Sequence, residues 1–216
     1  MERNVSMDEI SDGKLYGLND MVRADCGGCK GCSACCKGMG ESVVLDPLDL
    51  HRLSIGLGET PEKIAGSVLD FHMEKGLIFP CLKMAGEEEA CIFLNEQGRC
   101  RIHPFRPGFC RMFPLGRFYE DGGFKYFLQV HECPMEPKTK VKVRKWIDTP
   151  DLKEYEAFVL LWHDFYKELQ GRLDSQEKAK TASLYVLREF YLKPYPPDRF
   201  YEEFKERVKT AGARLP

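Results

Sequence analysis

The segment DCGGCKGCSACCKGMG, residues 25–40, places five cysteines within eleven residues: Cys26, Cys29, Cys32, Cys35 and Cys36. A two-residue gap lets the sulfurs of one turn converge on a single centre. Gly27, Gly28 and Gly31 fill those gaps, and residues without a Cβ let the backbone curl around that centre. Disulfides explain the run poorly, because a bridge needs a set Cα separation and dihedral that short CxxC loops and the vicinal pair Cys35-Cys36 do not suit. Thiolate ligation of a metal explains it well.

Cys26, Cys29, Cys32 and Cys36 also reproduce the spacing C-x2-C-x2-C-x3-C of bacterial ferredoxins, with Lys37 where proline would follow. A Cys-Pro occurs instead at Cys133-Pro134. In two-cluster ferredoxins the fourth cysteine serves a different cluster from the first three, so the run need not be one closed site. A second group follows in CIFLNEQGRCRIHPFRPGFCRMFP, with Cys91, Cys100 and Cys110 at near-even gaps. A centre held by both groups would staple the region together, its binding energy becoming folding energy. Cys81, in FPCLKM, reads equally well as a small buried apolar residue.

Charge accompanies the thiols. Residues 26–40 carry two lysines and no acid, and residues 97–118 carry five arginines and no acid, in a chain of net charge −2. Cations lower cysteine pKa and offset the negative charge of a sulfur-rich centre. Arg106 and Arg111, which flank Cys110, are the candidate cofactor-binding cations; a bidentate hold on an anionic substrate is their other reading.

The chain as a whole sets the context. Its length of 216 residues suits one domain, or one domain with an appendage. The net charge gives no push towards nucleic acid or an anionic membrane. No apolar run reaches the roughly 20 residues of a membrane-spanning helix. The polar, acid-bearing N-terminal stretch lacks the apolar core of a signal peptide, which points to the cytoplasm. Thiols stay reduced there, so clustered cysteines imply metal or redox chemistry.

Three regions must position these residues: a lead-in, 1–25, with weak structure; a cysteine-rich metal module, 26–136; and a cysteine-free helical extension, 137–216. The expected class is α+β, a small module of short helices and a β-hairpin followed by an α-helical tail. VVLDPLDLHRL reads as a strand running into a helix capped by Asp46 with Pro47 at its first position. ETPEKIAGSVLDFHMEKG repeats the device with Thr60 and Pro61, ending before Gly76. GRFYEDGGFKYFLQV carries the Asp-Gly-Gly centre of a hairpin. Three helices follow from Thr149, the first with a Thr-Pro start, the second over roughly 174–192 and the third capped by Asp198. Leu152, Phe158, Leu161, Trp162 and Phe165 share one face of the first and are expected to pack the tail on the module. His51, His72, His131 and His163 are scattered and read as surface or satisfied core residues. Asp46 and Asp49 read as caps. Neither a Ser-His-Asp set nor a phosphate loop stands out, so no enzyme activity is assigned.

CKGCSACC (Cys29, Cys32, Cys35, Cys36), taken with CIFLNEQGRCRIHPFRPGFCRMFP, resembles the two signatures of the YkgJ-like CxxCxxCC cysteine cluster family of zinc- or iron-chelating proteins. The resemblance spans about residues 26–136. It implies Cys29, Cys32, Cys35, Cys36, Cys91, Cys100, Cys110 and Cys133 as metal ligands. Cys26 and Cys81 are extra to the motif, although the ferredoxin spacing adds Cys26 to the candidate ligands. His103 stands where the family often has tyrosine, which argues against it as a ligand. The functional expectation is an iron–sulfur cluster, [4Fe–4S] in form, serving electron transfer or redox or group-transfer chemistry with a redox or protein partner. The alternative is a zinc-binding structural or interaction module with four-cysteine sites.

Overall fold

The computed structural model describes residues 6–27 and 32–215. The fold is α+β: helices interleaved with four two-stranded antiparallel sheets among the described residues. A one-turn helix α1 (Met7–Ile10) precedes strand β1 (Met21–Asp25). Val22 and Ala24 on β1 are fully buried, as alternate residues of a strand on a core must be. The weak structure expected before Cys26 is therefore corrected. β1 pairs with β8 (Thr139–Lys142), in register Val22↔Val141 and Asp25↔Thr139. That partner lies beyond every cysteine, so no local pattern announces the pairing.

Helix α2 (Pro47–Leu57) starts as expected. Asp46 accepts from the Asp49 N–H at 2.9 Å, and the Asp49 side chain accepts in return from the Asp46 N–H at 3.1 Å. Helix α3 (Pro61–Val68) is capped by Thr60 but stops eight residues short of Gly76. LDFHME instead forms β2 (Leu69–Glu74), paired with β3 (Leu77–Leu82). Lys75 and Gly76, at φ 49° and 82°, make the two-residue turn between them. The apolar residues of LDFHME alternate with polar ones at period two, and that pattern overrides the Thr-Pro helix start. Short strands β4 (Met84–Ala85) and β5 (Ala90–Cys91) pair next. Helix α4 (Gly108–Met112) then leads into the expected hairpin, β6 (Leu115–Glu120) and β7 (Gly123–Leu128). Asp121 and Gly122 turn it at φ 47° and 70°.

The C-terminal region is helical: α5 (Val143–Ile147), α6 (Leu152–Arg172), α7 (Gln176–Val186) and α8 (Phe200–Arg214). A π-helical segment, Leu187–Leu192, extends α7. Neither Thr149 nor Asp198 caps a helix; the cap positions fall on Asp151 and Arg199, without side-chain cap bonds, while Ser175 caps α7. Phe158, Trp162 and Phe165 mostly meet tail rings such as Phe190 and Phe204. The grip on the cysteine region comes from other residues. Tyr191 Oη donates to the Leu45 carbonyl at 3.0 Å. Ser183 Oγ accepts from the Ile78 N–H and donates to the Gly76 carbonyl. Phe200 stacks on His51 at 5.1 Å. One apolar core runs from Val22 to Leu215.

Candidate metal centre

Two backbone arrangements gather the cysteines. In the first, Lys37 bridges to Ala90 and the Gly38 N–H donates to the Glu89 carbonyl at 3.1 Å. That sets Cys36, at the end of the 3-10 turn Ala34–Cys36, beside Cys91 on β5. A turn at Asn95–Gly98 and the bridge Leu94↔Cys100 fold Cys100 back towards Cys91. Helix α4 carries Cys110. In the second, the β1–β8 pair ends at Asp25↔Thr139, and Lys138 Nζ donates to the Cys133 carbonyl at 2.8 Å. Cys26 and Cys133 thus flank one strand pair. Between the arrangements lies a cavity of about 130 Å³, lined by Cys26, Cys32, Cys35, Cys110 and Cys133. Arg106 and His103 also face it, and Phe113 and Trp146 supply apolar wall. Trp146 is fixed there by donating to the carbonyls of Met112 and Phe113 at 3.2 and 3.1 Å.

The thiols perturb one another. The Cys36 thiol donates to Cys35, which with help from the backbone and Arg106 pulls Cys35 down to about 7, against the desolvation that opposes it. Cys36 moves the other way, through that same bond, burial and the sulfurs of Cys35, Cys110 and Cys91. Burial raises Cys91, Cys100 and Cys110, with neighbouring thiols adding to the shift. Cys133 is raised by burial and by Cys26 and Cys32. Crowded thiolates repel, so the protein alone keeps most of these protons. A bound cation reverses the balance and releases them.

A buried polar frame holds α4. Asp49, 2% exposed, accepts from the Gly108 N–H at 2.7 Å. A Cβ at Gly108 would stand 2.5 Å from Tyr155 Oη, so this position needs glycine. Arg117 Nη2 donates to Tyr155 Oη at 2.6 Å. The helix bearing Cys110 is therefore clamped between α2 and α6. Sequence reasoning identified the cap role of Asp49 but missed this clamp; the signal available was the Gly in RPGFC beside an acid with one free carboxylate oxygen.

The two candidate arginines part company. Arg106 faces the cavity, contacts His103 Nε2 at 2.8 Å and favours the thiolates of Cys35 and Cys100. Arg111 is buried and donates to the carbonyls of Asp148 and Pro104, tying α4 to the chain around it. Cys81 stands apart on β3, 1% exposed, with its thiol 3.4 Å from the Asp70 carbonyl and raised to about 11 by burial. Cys29 lies outside the described residues. None of the described cysteines is in a disulfide.

The sequence model of one family, CxxCxxCC, described as a "putative zinc- or iron-chelating domain", matches residues 28–139. The chain belongs to this family. Comparison with curated proteins and with solved structures finds no match. The CxxCxxCC domain covers every cysteine brought together here except Cys26. Its donors suit a thiophilic ion, since sulfur ligands select zinc, copper(I) and iron–sulfur centres. Among the described residues no three such side chains yet stand close enough to hold an ion. With metal–sulfur bonds of about 2.3 Å, binding requires the side chains around the cavity to turn inward.

Proposed function

We propose that the CxxCxxCC domain carries an iron–sulfur cluster, [4Fe–4S] in form, on its cysteines, with an electron-transfer or redox or group-transfer role in the cytoplasm. The observation that carries this reading is the thiol-lined cavity of about 130 Å³ with Arg106 in its wall. A lone zinc ion is wrapped by its four sulfurs and needs no such space. The cavity is several times the roughly 10–15 Å³ that admits one water, which suits a polyatomic group. When bound, the cluster supplies a site that takes up and returns single electrons. The protein's own part is to hold thiolates, to offset their charge with Arg106, and to shield them with Phe113 and Trp146. A redox or protein partner remains to be identified. Zinc in four-cysteine sites is the second reading, favoured by the division of the thiols into two backbone-separated groups. Anaerobically purified protein is expected to contain iron and acid-labile sulfide and to absorb broadly near ~400 nm. Stoichiometric zinc without sulfide, from iron-fed cells, would overturn the iron–sulfur reading.

A further inference from the structure

We infer that the cysteines ligate metal as two separate sets, one drawn from Cys36, Cys91, Cys100 and Cys110 and the other containing Cys26, Cys32 and Cys133. The inference rests on the metal-binding reading but not on which metal is bound. The first set hangs on the Lys37↔Ala90 and Leu94↔Cys100 bridges. The second hangs on the β1–β8 pair, with Lys138 tying down the Cys133 backbone. Neither scaffold is free to slide. β1 is anchored by Val22 and Ala24, and the chain leaving β8 by Val143, all fully buried. A shift of one residue in β1 would turn Val22 and Ala24 out to solvent. α4 is clamped by Asp49 through Gly108. Cys26 and Cys133 therefore face the cavity from one side and Cys110 from the other.

The mutual influence of the thiols follows the same division: Cys133 responds to Cys26 and Cys32, whereas Cys110 responds to Cys91, Cys35 and Cys100. Cys35 belongs to the boundary, since it lines the cavity and adjoins Cys36. The second set takes a soft, thiophilic ion, iron within a cluster or zinc. It gives a role to Cys26, which precedes the family match.

Cobalt(II) titration of the reduced, metal-free full chain tests the division, because thiolate-to-cobalt absorption counts sites directly. Two sets predict about two equivalents, falling to about one in Cys26→Ser, in Cys133→Ser and in Cys100→Ser, as expected of four-coordinate thiolate sites. Cys26→Ser/Cys133→Ser should also retain about one, whereas Cys100→Ser/Cys133→Ser should retain none. Uptake of one equivalent by the natural sequence, or complete loss in both Cys100→Ser and Cys133→Ser while circular dichroism shows a folded chain, would overturn it. Should Cys133→Ser fail to fold, Cys133→His is expected to keep both equivalents with altered ligand-field bands, and loss of both there counts against the division. Iron and sulfide analysis of the native protein keeps the two readings apart. Two cobalt sites without native sulfide would retain the division and remove the cluster; native sulfide with one cobalt site would do the reverse.

Discussion

Arg106 and Arg111 sit five residues apart and have identical chemistry, yet their surroundings give them different tasks. Arg106 faces the thiol cavity, so Arg106→Gln should leave folding intact and make a cluster harder to reduce, because a lost cation destabilises the more negative state. Protein-film voltammetry reads this directly, with ~59 mV for each tenfold change in a one-electron equilibrium; an unmoved potential would deny Arg106 its electrostatic role. Arg111 spends its donors on two carbonyls. Arg111→Gln should therefore cost about 1–3 kcal/mol of stability, as buried charge-assisted bonds do, and shift the potential less than Arg106→Gln does. Asp46 offers a pH test. Burial, with the charge of Asp49, pushes its carboxyl from an ordinary value near 3.8 up to about 8. The folded state thus holds this proton more tightly, and the associated stability, complete below pH ~4, is lost as pH rises through about 8. Asp46→Asn keeps a cap and removes the titration. Its melting temperature relative to the natural sequence should improve between pH 5 and pH 8.5, at roughly 2–4 °C per kcal/mol. An unchanged difference would mean that Arg52 and Arg117 already neutralise the pair.

Elements whose signals are local were legible in the sequence. Asp46-Pro47 and Thr60-Pro61 start helices, and Asp121-Gly122 turns a hairpin, because caps and turns are decided within four residues. The end of α3 was not legible, since the Thr-Pro start says nothing of where β2 takes over. Nor was β1, whose partner β8 is distant in sequence. The ligand types and the two cysteine groups could be read from spacing, but the clamp of Asp49 on Gly108 and the turning away of Arg111 could not, being set by tertiary packing. These differences bear on what metal removal should do. β4 and β5 are two residues each and α4 is five, too short to persist on their own ladders. Their order should depend on the metal that their cysteines hold. Hydrogen exchange after chelation should rise most over residues 90–112 and least in the central turns of α6, whose face is packed by Phe158 and Phe165. Uniform acceleration throughout would show that the whole fold depends on the metal.

At the scale of the molecule, the helical tail and the cysteine region share one apolar core. Tyr155 of α6 reaches the Gly108 clamp, Tyr191 bonds the Leu45 carbonyl and Phe200 stacks on His51. The tail thus backs the helices that support the metal centre, on the side away from the thiol cavity, whose lining includes no residue beyond Trp146. Deleting residues 149–216 should leave every cysteine in the chain yet expose the faces of α2 and β3 that the tail now covers. Apolar surface of that extent drives association, so the truncated chain should aggregate and melt well below the full-length protein. Light scattering and calorimetry with metal supplied at equal excess would measure it. The complementary fragment, 149–216, keeps its own ring cluster of Phe158, Trp162, Phe190 and Phe204 but loses its cover over Tyr155, Tyr191 and Phe200. It is expected to be helical but loosely packed, with weak near-ultraviolet dichroism and no sharp transition. A fragment that melted cooperatively as a monomer, beside a truncated chain that stayed soluble and bound metal, would divide the protein into two independent domains and remove the supporting role assigned here to the tail.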